Sequence, residues 1–350
     1  MKNPFPTVLK VTRLARKGRP LSAVLLLQRT FLPLPSPGGK WRSGTRRNGV
    51  KAAGKSTRPI RPKPGSFIED EFSCPQGSLR YRLYTPKGSA RRRLPLIVML
   101  HGCTQSAADF AAGTKMNSLA DELGFLVLYP EQSLKANANR CWNWHRPVNQ
   151  THGSGEAAVI AGMTRHIIAR CKAHPGRVYI AGISAGGAAA AIIGSAYPRL
   201  YVAVGVHSAV PLGNIGTVRE ALEAMQGRAP QTGGKAGPSL PMILFHGDRD
   251  RVVHPSNASG FVNQLRRSST RPLVSHSERA RSKGGRDFTR TFYRHGSGPV
   301  ILEEWTVHGS GHAWSGGSML GTHTDPAGPD ASRAMAAFFL ARRSRSIRGR

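Results

Sequence analysis

The stretch RVYIAGISAGGAAAAIIG (Arg177–Gly194) decides the fold reading. It opens as a continuous apolar run, the pattern of a strand covered on both faces, and closes as an alanine-rich helix. Between the two stands one serine, Ser184, with Gly182 two residues before it and Gly186 two after. A strand that turns sharply into a helix leaves little room for side chains, so glycine at those two positions relieves crowding and the serine is presented in the open. The helix start adds a free N–H at Ala185 and a positive dipole end, both suited to charge developing on an oxygen. A serine hydroxyl is a weak nucleophile until a base is held beside it. G-x-S-x-G alone can be an ordinary glycine-rich turn; its place between a strand and a helix is what favours the nucleophile.

Working outward, the same alternation repeats. LPLIVMLHG (Leu94–Gly102), GFLVLYP (Gly124–Pro130), YVAVGVHSA (Tyr201–Ala209) and LPMILFHG (Leu240–Gly247) read as further buried strands. SLRYRLYTP (Ser78–Pro86) alternates like a half-exposed strand. Ser106–Gly124, Glu156–Cys171 and Asp330–Arg343 read as helices, and Thr289–Gly309 as a hairpin or paired strands. Strands alternating with helices this often imply an α/β fold with a mostly parallel central sheet flanked by helices.

In such a sheet a serine nucleophile precedes its acid, and the acid precedes the histidine. His312, in the glycine-rich HGSGHAWSGG (His308–Gly317), follows the last strand-like run and is the favoured base; His308 is its rival. The acid should follow a strand in between, where MILFHGDRDRVVHP (Met242–Pro255) offers both Asp248 and Asp250. Spacing does not separate the two, and both have neighbouring arginines to pair with instead. MLHGCTQS (Met99–Ser106) ends a strand in a His-Gly turn, which makes the backbone N–H of Cys103 the second candidate oxyanion donor beside Ala185.

Five motifs in order, LHGCTQSAADFAAGTKMNSLADELGFLVLYPEQS, RCWNW, AGISAGGAAAA, HGDRDRVV and GSGHAWSGG, resemble the poly(3-hydroxybutyrate) depolymerase family of esterases, which includes feruloyl and acetylxylan esterases. The resemblance runs from about Phe67 to Leu340. It implies an α/β-hydrolase fold and a serine esterase working through an acyl-enzyme, with no metal or organic cofactor. It further implies Ser184, Asp250 and His312 as the catalytic residues, the acid being chosen by the family's H-G-x-x-D-x-x-V pattern. Trp142, Trp144 and Trp314 resemble aromatic positions of the family's substrate groove, with core packing as the competing reading. The resemblance also pairs Cys103 with Cys141 in a disulfide. The implied substrates are hydroxybutyrate or hydroxyalkanoate oligomers and related short-chain esters, or feruloyl and acetylxylan esters. No appended substrate-binding domain is recognisable after the closing helix, which points away from crystalline polyester. A peptidase or thioesterase on the same fold is the enzymatic rival.

The chain as a whole is basic. Lys and Arg number 51 against 18 Asp and Glu, a formal charge of +33. Residues 1–35 suggest a short amphipathic helix and 36–66 a disordered linker rich in basic residues, Gly, Pro and Ser; the catalytic domain then spans 67–343 and a basic tail 344–350. Such charge suits an anionic surface, so a polyanion- or granule-binding protein is the rival of another class. No nucleic-acid motif and no apolar run of membrane-spanning length is present. The family implies an extracellular setting, whereas Leu21–Leu27 is too short an apolar core for a clear secretory signal, so extracellular and cytoplasmic locations both stay open.

Overall fold

A computed structural model describes residues 63–88, 93–213, 215–228 and 240–344. The helix expected over 1–35, nearly all of the 36–66 linker and the tail beyond residue 344 lie outside them. The described residues belong to one compact unit, Arg61–Arg350.

The strands are β1 (Ser66–Cys74), β2 (Gly77–Thr85), β3 (Leu96–Leu100), β4 (Leu126–Glu131), β5 (Val178–Ile183), β6 (Ala203–His207), β7 (Met242–Gly247), β8 (Leu273–Arg281), β9 (Asp287–His295) and β10 (Val300–Val307). They form one sheet in the order β1-β2-β4-β3-β5-β6-β7-β10-β9-β8. From β4 to β10 all neighbours run parallel, and the two margins, β1-β2-β4 and β10-β9-β8, are antiparallel. The expected mostly parallel sheet is therefore present, closed at each side by a hairpin. A short pair, β11 (Trp314–Ser315) and β12 (Thr324–Asp325), stands apart.

The helices are α1 (Ala107–Thr114), α2 (Met116–Leu123), α3 (Gly155–Cys171), α4 (Ala185–Ala196), α5 (Val218–Met225), α6 (Ser256–Ser268) and α7 (Ala331–Leu340). One face of the sheet packs on α3, α4, α5 and α6, the other on α1, α2 and α7. The central strands β3, β5, β6 and β7 are buried along their whole length, which is why they read as unbroken apolar runs.

The single helix expected over Ser106–Gly124 is two. Lys115 takes a left-handed conformation (φ 56°) between α1 and α2, and a lysine carries no sequence signal for that break. The start is as read: Ser106 accepts from the Asp109 N–H, and Gly124 closes α2 at φ 73°.

Candidate active site

The parallel register brings the carboxyl ends of β5, β6, β7 and β10 level. Ile183 lies beside His207, His207 beside Phe245, and Gly247 beside Val307. Ser184, Asp250 and His312 follow the ends of β5, β7 and β10, so all three emerge on one edge of the sheet. Ligands and reacting groups of open α/β sheets gather at that edge.

Ser184 has φ 57° and ψ −124°, a conformation costly for a residue with a Cβ. Its N–H donates to the His207 carbonyl at 2.9 Å, which fixes the turn to the neighbouring strand. The flanking glycines are required by backbone crowding. A Cβ on Gly182 would come within 2.4 Å of the Gly186 carbonyl, and one on Gly186 within 2.2 Å of the Leu100 carbonyl oxygen. The Ala185 N–H begins α4 and has no partner within the helix.

His312 Nδ1 lies 2.7 Å from Asp250 Oδ2. The other carboxylate oxygen accepts from the N–H groups of Val252 and Val253, each at 2.9 Å. Burial alone would push the Asp250 carboxyl up, but the His312 hydrogen bond and charge, with His246 and the Val253 amide, hold it below its usual value. Asp250 is thus a fixed, buried acceptor that orients His312. Among the described residues no hydrogen bond joins the Ser184 hydroxyl to the His312 ring; such contacts commonly tighten only with substrate bound.

The rival residues make a pair of their own. His308 Nδ1 lies 2.9 Å from Asp248 Oδ2, its Nε2 is 2.9 Å from Thr289 Oγ1, and Asp248 also accepts from the Gly309 N–H. The structure thus separates two Asp–His pairs that spacing left mixed. Among the described residues neither acid forms an ion pair with Arg249 or Arg251, the alternative left open above.

Cys103 is bonded to Cys141 in a disulfide, as the resemblance implied. The bridge ties the turn after β3 to the loop after β4, and the Thr104 N–H donates to the Asn139 carbonyl beside it. Among the described residues nothing accepts the Cys103 N–H. The loop after β4 is held by half-buried Glu156, whose carboxylate accepts from the Gln132 side chain and from the Asn143 backbone and side chain. Burial pushes that carboxyl up despite these donors.

The tryptophans require a correction. Trp142 is 0 % exposed, donates from Nε1 to the His101 carbonyl and packs on the His101 ring. Trp314 is 1 % exposed, donates to Ser332 Oγ and stacks on His207. Both are core residues bracing the site, not groove walls. Trp144 is 8 % exposed and belongs to the same apolar cluster as Trp142. Large flat rings with one donor look alike in sequence whether they face substrate or interior.

His207, which no motif marks, closes β6 in the interior beside the site. Burial, with the neighbouring His246 and His312, pushes it down to about 3, so it stays neutral. Its Nε2 accepts from the Ser315 N–H at 3.0 Å, three residues beyond His312. A histidine closing an otherwise apolar strand run was the available signal.

This architecture defines the class: an α/β-hydrolase fold with its serine turn at the end of a central parallel strand. Over 71% of this chain and 94% of the other, it matches an acetyl xylan esterase from Aspergillus awamori with a TM-score of 0.58 at 21% identity, a likeness of fold. The chain belongs to the Esterase PHB depolymerase family, whose profile matches residues 79–284. It is 28% identical over 267 residues to poly(3-hydroxyalkanoate) depolymerase C of Paucimonas lemoignei, covering 73% of this chain and 61% of that protein. It is 29% identical over 209 residues to feruloyl esterase B of Neurospora crassa, covering 53% and 69% respectively. The chain thus spans less than two thirds of the first of these relatives.

Proposed function

We propose that this protein is a serine carboxylic-ester hydrolase. The observation that carries the reading is Ser184 in its strained turn on the same sheet edge as the 2.7 Å His312–Asp250 pair. Ser184 Oγ attacks the ester carbonyl while His312 takes its proton, and Asp250 holds the imidazole and offsets its charge. The Cys103 and Ala185 amides receive the oxyanion, each contributing about 3 kcal/mol to lowering the barrier. His312 then protonates the departing alcohol, and water, activated by the same ring, releases the acid from the acyl-enzyme.

Hydroxyalkanoate oligomers and related short-chain esters are the proposed substrates, with phenolic or acetyl esters the alternative, both taken from what the relatives are named for. The +33 charge of the whole chain, part of it in the basic N-terminal arm, supports a further attraction to anionic surfaces. Deleting Met1–Gly65 with no change in retention on an anionic matrix would remove that support.

The test is hydrolysis of p-nitrophenyl acetate, butyrate and octanoate, methyl ferulate and a hydroxybutyrate oligomer, beside amide and thioester analogues. Turnover of esters that Ser184→Ala abolishes without loss of folding supports the reading. Retained activity in that variant rejects Ser184, and preference for amides or thioesters replaces the reaction class.

A further inference from the structure

His246 is the second-last residue of β7, and the alternation of that strand turns its side chain toward α4 and α6, in line with Met242 and Leu244. An aliphatic residue would continue the pattern. A histidine is there instead, 2 % exposed, and its Nδ1 has no hydrogen-bond partner among the described residues. An orphaned buried nitrogen is unfavourable, so the ring must serve through its other edge.

That edge faces the acid. His246 Nε2 is 2.9 Å from the Val253 carbonyl oxygen and 3.5 Å from Asp250 Oδ2. A carbonyl only accepts, so Nε2 carries the proton. The Val253 residue it grips by the carbonyl is the one whose N–H, with that of Val252, holds Asp250 Oδ1. His246 therefore closes the turn from behind while the turn's amides hold the carboxylate from the front. Its N–H also points positive charge toward the oxygen that His312 uses. Burial lowers the ring's affinity for a proton, which keeps it in the neutral form with a single donor.

We infer that His246 is a positioning residue for the acid: by holding the 250–253 turn through the Val253 carbonyl, it sets the geometry in which Asp250 orients His312. The inference rests on the esterase reading above. Misplacement of a catalytic group by about 1 Å can lower turnover on the order of a hundredfold, so the effect is expected in kcat.

Three variants separate the possibilities. In His246→Gln the side-chain amide reaches about as far as Nε2 and keeps a donor for Val253. In His246→Asn the amide stops short, and in His246→Leu it is absent. With p-nitrophenyl butyrate, His246→Leu and His246→Asn are expected to lose on the order of tenfold to a hundredfold in kcat with KM unchanged, and His246→Gln to recover most of it. Labelling of Ser184 by an alkyl phosphonate should slow in parallel. His246→Leu removes the orphaned nitrogen but strands the buried Val253 carbonyl, so its thermal midpoint should fall no further than that of His246→Asn, which strands the same carbonyl and buries a polar amide as well. Where His246→Leu does not fold, the comparison of Gln with Asn carries the same test. Wild-type kcat in both Leu and Asn variants overturns the inference and leaves the esterase reading intact. Equal losses in all three, tracking the thermal midpoint, also overturn it, since the role is then structural. Should the wild type show no Ser184-dependent turnover, the esterase reading fails. The low-field proton resonance of the His312–Asp250 hydrogen bond then decides: lost or shifted in His246→Asn it supports the positioning role, and unchanged it overturns it.

Discussion

Asp250 and Asp248 are two residues apart and chemically identical, yet their surroundings assign them different work. Asp250 is fully enclosed and has four donors converging on or near it: two amides, His312 and His246. Asp248 is exposed and clasps His308 and the Gly309 N–H at the rim. Asp250→Asn should therefore reduce kcat by about 10⁴-fold, because an amide no longer holds the imidazole in the required tautomer. Asp248→Asn should leave kcat within a few-fold of wild type. Steady-state kinetics on p-nitrophenyl butyrate check both, and the reverse ranking would move the acid to Asp248. Gly186 invites a different test. Its missing Cβ leaves room for the carbonyl oxygens of Leu100 and His101, at 2.2 and 2.4 Å from where that atom would sit. Both obstacles are backbone, so Gly186→Ala must shift β3 or α4, and a loss of about 1–3 kcal/mol is expected in urea unfolding. At this scale the sequence was most informative. Gly182, Ser184 and Gly186 announce a crowded turn, and the family pattern chose among the acids. What it could not show was orientation: Trp142 and Trp314 turn inward, and His207 and His246 act through backbone contacts that no spacing encodes.

The elements that position the site differ in how they are held. The turn after β3, with the free Cys103 N–H, is linked to the loop after β4 by the Cys103–Cys141 bridge across 38 residues. Closing a loop of that length in the unfolded chain corresponds to about 4 kcal/mol in the chain-entropy model. Cys103→Ser with Cys141→Ser should therefore unfold about 3–4 kcal/mol more easily. Because the proposed oxyanion donor is the backbone N–H, the double variant should retain Ser184-dependent turnover at a lower kcat, and complete loss of turnover in a folded protein would assign the bridge a larger role. Legibility also varied by element. Strands enclosed on both faces announce themselves as apolar runs, whereas β8 (LVSHSERAR) is exposed at eight of its nine positions and looks like a loop. It pairs with β9 through its backbone, which leaves little mark in composition. β1 is acidic and partly exposed, and was hidden for the same reason. Thr217 and Glu220 form a capping box that starts α5, a local signal that was present but falls in a stretch with little apolar periodicity.

For the molecule as a whole, the buried imidazoles couple folding to pH. His101, His207 and His246 are each enclosed, and burial lowers all three, His207 to about 3. Each has its ring committed as a neutral group: His101 Nε2 accepts from the Gln132 N–H, His207 Nε2 from the Ser315 N–H, and His246 Nε2 donates to Val253. The unfolded chain protonates these rings at about 6.5 and the folded protein only at lower pH, so below 6.5 the unfolded state binds more protons and stability falls. Above it neither state is protonated and the rings contribute no slope. Each ring tilts the unfolding free energy by about 1.4 kcal/mol per pH unit, so three acting together give about 4 kcal/mol per unit at most. The Asp250 carboxylate works in the same direction in a lower window. Its folded value is depressed, so its stabilisation is complete above about 4 and is lost as pH falls through the folded value. The two windows are separable by urea unfolding at constant ionic strength. The midpoint should be nearly level from pH 8 to 7, fall steeply below about 6.5, and do so with an unchanged dependence on urea. In His207→Gln, which cannot take up the proton in either state, the slope between pH 6 and 5 should be shallower by about one proton. A wild-type midpoint that stays level to pH 5 would mean that these rings are protonated in the folded protein, and the neutral contacts assigned to them would have to be redrawn.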